Sequence, residues 1–204
     1  MKNFKMPKLQ LPLLKYFWID NRWKSQKSDI KKDKNIQGVA HKIEKILSEL
    51  SSKERNLLVS PPISHFDPEV TIHQWNDFLA VMFGIKPSCN VGMIYNKKLF
   101  NPIGQFARNI KKEFPNICTD TTWDFALKNN NMALEKVDYG FIYDKSNLTQ
   151  TIKRHKNLQN INLDKISEYL YNLSLQIDKN PKKYHKTMGI LLGYNQKSIN
   201  KFIE

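Results

Sequence analysis

Val137-Asp138-Tyr139-Gly140-Phe141-Ile142-Tyr143 is rich in aromatic and β-branched residues and reads as a strand. Downstream of it the chain turns helical. Ser146 is the expected cap of a helix through Leu148, Ile152 and Leu158. Asn162 is placed to cap the next, with Leu163, Ile166, Leu170, Leu173 and Ile177 inward. Asn180-Pro181 starts another, with Tyr184, Met188, Leu191 and Leu192 apolar and Gly193 as its stop. A last short helix carries Ile199, Phe202 and Ile203. The hairpin around Gly193 has the outline of a helix–turn–helix, but its intervals suit an ordinary helical hairpin equally well.

Upstream, strands and helices alternate. Ile36, Val39, Ala40, Ile43, Ile46, Leu47 and Leu50 recur at helical spacing and predict an amphipathic helix over residues 36–50. Leu57-Leu58-Val59-Ser60 reads as a short strand stopped by Pro61-Pro62. A helix follows, started by Asp67-Pro68-Glu69 or by the capping box from Thr71 to Gln74. Its stripe is Trp75, Phe78, Leu79, Met82 and Phe83, and Gly84 ends it. Val91-Gly92-Met93-Ile94-Tyr95 reads as a second strand. Asn101-Pro102 opens a helix with Ile103, Phe106, Ile110 and Phe114 on one face, and Thr121-Thr122-Trp123-Asp124 resembles a further helix start. The expected fold is a predominantly helical domain around a small sheet of about three strands. It is α/β if the crossovers make the sheet partly parallel, and α+β if they do not. Residues 36–204 form the single globular domain, and residues 1–35 a basic, proline-interrupted arm and linker.

Of the 204 residues, 40% are apolar, far more than a disordered chain carries. The longest apolar run, Phe78 to Ile85, is too short to span a bilayer. Pro7, Pro12 and Lys15 break the N-terminal apolar stretch, and no small-residue cleavage site follows, so the segment is not read as a cleaved leader. Cys89 and Cys118 make neither a disulfide framework nor a ligand set, which favours a reducing, cytoplasmic setting.

The net charge is +14 and unevenly spread. Residues 1–55 hold 14 Lys and Arg against 6 Asp and Glu, residues 56–140 hold 8 against 8, and residues 141–204 hold 11 against 5. A neutral centre thus lies between two basic ends, a distribution that attracts an acidic protein, a nucleic acid or an anionic membrane surface. Candidate polyanion-binding residues are Lys24, Lys27, Lys31, Lys32 and Lys34 in the arm and Lys153, Arg154, Lys156, Lys182 and Lys183 near the C-terminus. Only four of the 33 basic residues are arginines, which argues against base-edge reading by the guanidinium fork. Lys and Asn enrichment also arises from an AT-rich genome without selection for binding.

Catalytic signals are sparse. His65, Asp67 and His73 lack a diagnostic metal-ligand spacing, and Asp67 already serves as a cap. Neither cysteine sits in a sequence that marks an activated thiolate. The scattered glycines form no phosphate loop, so no cofactor and no metal are expected. The favoured function is a non-enzymatic binding or accessory protein, adaptor- or effector-like, acting through its basic ends. The alternative is a small enzyme of unfamiliar family. In a parallel sheet its site would lie at the strand C-termini, near Ser60, His65, Asn96 and Asp144, with His65 and Asp144 available for proton transfer.

Overall fold

The computed structural model describes residue 14 and residues 17–23, 32–51, 76–93, 109–121 and 138–204. Helix α1 spans Lys34–Ser48. Asp33 fixes its start by accepting the backbone N–H groups of Asn35 and Ile36, donors that a first turn otherwise leaves unpaired. Ile36, Ala40, Ile43, Ile46 and Leu47 are buried, as their spacing predicts. A second helical stretch, over 76–82, ends at Gly84, whose φ of 68° is open to glycine at little cost.

Three strands follow: β1 (Ser88–Met93), β2 (Ile117–Thr121) and β3 (Asp138–Asp144). Their order is β1-β3-β2, and both pairings are antiparallel. The protein is therefore a mostly helical α+β domain, and the α/β reading with a partly parallel sheet is corrected. The physical reason lies in β3. The strands β1 and β2 do run in the same direction, as a crossover would leave them, but β3 inserts between them and opposes both. Strand β2 replaces part of what reads in sequence as a helix start at Thr121. The stretch expected as a strand over 57–60 lies outside the described residues.

The sheet separates two cores. Ser88, Tyr143 and Cys118 are cross-strand partners and share one face, while Cys89 and Ile142 share the other. Cys89, Ile142 and Ile117 pack with α1, the 78–83 stretch, Phe17 and Trp23. Phe141, Tyr143 and Cys118 pack with the C-terminal helices. The seam on that side is fixed by the Ser88 hydroxyl, which donates to the Leu191 carbonyl at 2.6 Å. Cys89 and Cys118 thus sit on opposite faces, on strands separated by β3, and both are free thiols.

Strand β3 runs straight into helix α2 (Lys145–Arg154). The cap is Asp144, the last strand residue, rather than the expected Ser146: its carboxylate accepts the Asn147 N–H at 2.7 Å. Helices α3 (Ile166–Ser174), α4 (Pro181–Leu191) and α5 (Gln196–Ile203) complete the described chain. Asn180 caps α4, with Pro181 in its first turn, and Asn195 caps α5. Gly193 ends α4 at a φ of 75°, and a Cβ there would stand 2.5 Å from Cδ of Pro87. Ile177, placed inward by periodicity, is exposed because α3 stops at Ser174 and the chain turns away before α4. No helix among the described residues is long and apolar enough to cross a membrane.

Candidate binding surface and a buried lysine

Of the four residues proposed for a site at the strand ends, Ser60, His65 and Asn96 lie outside the described residues. Asp144 is described, and its carboxylate is engaged as the α2 cap. The antiparallel sheet also removes the topological argument for that site. Strand β1 ends at Met93, which pairs with Asp138, so its carboxyl end lies at the opposite end of β3 from Asp144. His65, Asp67 and His73 likewise lie outside the described residues.

One charged cluster had no signal in any single stretch of sequence. Lys86, just before β1, is 0% exposed. Its ammonium donates to Asp77 Oδ1 at 2.8 Å and lies 5.1 Å from the Trp23 ring centre and 5.0 Å from that of Tyr194. A buried ammonium is costly unless paired, and here one carboxylate and two π faces replace its water. Arg22 also lies over Tyr194, at 5.8 Å, and forms a bidentate pair with Asp20. Arg22's hydrogen bonds hold the Asp20 carboxyl below its ordinary range. Burial, with the Asp77 charge nearby, pushes the Tyr194 phenol up to about 12. Burial does the same to Cys89, also to about 12, which makes that thiol a poor nucleophile.

The cluster fastens residues 21–23 to the turn between α4 and α5. Trp23 forms a bridge with Tyr194, and the Asn195 N–H donates to the Arg22 carbonyl at 2.7 Å. The Asn195 side-chain amide donates to the Asn21 carbonyl, also at 2.7 Å, while its oxygen caps α5. Asn76 accepts the Trp18 N–H, and Phe17 packs edge-on against Phe83. The arm's aromatics, Phe17 and Trp23, are therefore core residues. The Trp23 Nε1–H is buried and has no hydrogen-bond partner among the described residues.

The α4–α5 hairpin is the opposite case. Lys179, Lys182, Lys183, Lys186, Lys197 and Lys201 are all exposed, and none is paired with a carboxylate among the described residues. Lys182 and Lys183 stand in the first turn of α4 and Lys197 in that of α5, with no acidic residue in either turn. The caps of α1 and α2 are aspartates, whereas those of α4 and α5 are asparagines. Positive charge therefore accumulates where the helix dipole already points positive, an arrangement that costs stability. On the same hairpin the His185 ring lies 4.9 Å from that of Phe202, which is 71% exposed. Tyr184 turns inward and packs at the edge of the C-terminal core.

The other sequence candidates divide. Lys153, Arg154 and Lys156 are exposed around the C-terminal end of α2, where cations complement the dipole. Lys32 and Lys34 are exposed beside the start of α1. Lys24, Lys27 and Lys31 lie outside the described residues. No protein-family model, curated protein or solved structure matches this chain.

Proposed function

We propose that the chain is a non-enzymatic binding or accessory protein that engages a polyanionic partner through its basic ends, with the α4–α5 hairpin as the principal contact. The observation that carries this reading is the set of exposed lysines on that hairpin, none paired with a carboxylate among the described residues and three of them at dipole-positive, neutrally capped helix starts. Selection for folding alone favours the reverse placement. A reducing, cytoplasmic setting is part of the same proposal, supported by two free thiols on opposite faces of the sheet.

Binding of this kind releases counterions, so affinity falls steeply as salt rises. The test is retention on immobilised heparin over a salt gradient. Lys182→Glu with Lys183→Glu should elute at much lower salt than the parent chain, and Lys153→Glu with Lys156→Glu should show a smaller shift. Equal elution of parent and both variants would overturn the reading.

A further inference from the structure

We infer that the polyanion is the surface of an anionic lipid bilayer, an assignment that rests on the polyanion reading above. Leu175, Ile177 and Phe202 are large apolar residues exposed to solvent, and Leu175 and Phe202 are more than half exposed. Three of the four such residues among those described fall within the last thirty positions of the chain.

Phe202 lies at the end of the hairpin where α4 begins, and Leu175 and Ile177 lead into that start along the chain. The contact of His185 with Phe202 sets the first turns of α4 beside the last turn of α5. Leu175 and Ile177 lie in the tight turns that lead directly into α4, held by the Ile177 to Ser174 and Asn180 to Gln176 backbone hydrogen bonds. The apolar stripe of α5 tells the same story. Ile199 is buried against Gly189, Ile203 is half-buried, and Phe202 runs out past the edge of the core. Lys179, Lys182, Lys183, Lys186 and Lys201 lie on the same two helices and their entry turn.

Exposed apolar side chains on a segment where these five lysines outnumber the two exposed carboxylates, Asp178 and Glu204, match the boundary between acyl chains and anionic headgroups. The apolar tips enter the boundary while the lysines reach the phosphates. Single-stranded nucleic acid would also satisfy the lysines and could stack a base on Phe202, but it gains little from the exposed Leu175 and Ile177.

The full chain is mixed with vesicles of phosphatidylcholine alone, vesicles containing about one third phosphatidylserine, and a single-stranded oligonucleotide. Binding is expected to the phosphatidylserine vesicles, weak binding to phosphatidylcholine, and a decline as salt rises. Phe202→Ser should weaken vesicle binding about tenfold or more, and Leu175→Ser with Ile177→Ser by a similar factor, with unchanged thermal unfolding. Phe202→Trp should show a blue-shifted emission change on vesicle addition that the parent lacks. Vesicle binding untouched by the serine variants overturns the apolar contact. Oligonucleotide binding without vesicle binding overturns the lipid assignment and leaves the polyanion reading standing. Failure to bind vesicles, oligonucleotide or heparin overturns both.

Discussion

Lys86 and Lys182 are the same residue in opposite circumstances. Around Lys86, charges are matched: Asp77 faces the ammonium, Asp20 faces Arg22, and two aromatic rings fill the remaining space. On the hairpin that carries Lys182, no carboxylate answers any of the exposed lysines among the described residues. The first arrangement is a structural solution, since it joins three segments distant in sequence and leaves no ammonium surface for a partner. The second contributes nothing to the fold that a neutral residue would not. The contrast teaches that the overall charge of +14 is not one property. Some of the 33 basic residues are matched by carboxylates inside the fold, while those of the α4–α5 hairpin face solvent without one among the described residues.

The contrast breaks first at Asp77. Asp77→Ala strands a buried ammonium and should cost about 3–5 kcal/mol, read from urea unfolding. Replacing both members, as Lys86→Met with Asp77→Leu, should recover most of that loss. A cost for Asp77→Ala below about 1 kcal/mol would mean that the rings alone hold Lys86, at the upper range for cation–π contacts. A second effect follows from pH. Cys89 and Tyr194 both titrate higher in the folded chain than unfolded, from 9.0 and 10.0 to about 12. Their contribution is complete below the unfolded values and is lost as pH rises toward 12. Stability should therefore fall between about pH 9 and pH 12, and Cys89 should react with thiol reagents only as the chain unfolds. Reaction of Cys89 in the folded protein at pH 8 would contradict its burial.

Gly193→Ala should cost about 1–3 kcal/mol, since it combines a positive φ with a collision against Pro87. Gly38→Ala, with nothing near the added methyl group, is its control and should stabilise α1 slightly. The smallest expected effect sharpens the comparison most. Lys182→Glu should raise stability by about 0.3–1 kcal/mol, because it places an anion at a helix start, while lowering polyanion affinity. A variant that is more stable and binds less well separates the surface charge from the fold. A loss of stability would tie Lys182 to the structure instead.

Sequence legibility followed the range of the physics. Gly84, Asn180-Pro181 and Gly193 act on their own neighbours, and each terminates or starts a helix where the sequence places it. The α1 stripe needs only its own periodicity. Strand β2 was not legible, because Ile117–Thr121 becomes a strand by pairing with β3, and that partner lies some twenty residues away. Strand direction failed for the same reason: alternation of helix and strand suggests a crossover between β1 and β3, whereas those two strands pair antiparallel. The basic C-terminal surface was visible in composition, with Lys182 and Lys183 among its residues, but composition cannot tell paired lysines from unpaired ones. The Lys86 cluster was missed altogether. A lysine directly after the apolar run Phe78 to Ile85 was the available hint, but its partners Trp23, Asp77 and Tyr194 are scattered along the chain.

Asn195 makes the two ends of this chain a single kinetic unit. One carboxamide both starts α5 and grips the arm at Asn21, 174 positions away. A loop that long must close before either end gains anything from the other, and closure entropy of about (3/2)RT ln n weighs against it early in folding. The expected order is a clasp that forms late in folding and opens early. Loss of the Asn195 side chain should leave the folding rate nearly unchanged and appear almost wholly as faster unfolding. Under that ordering, Asn21 and the start of α5 are released together.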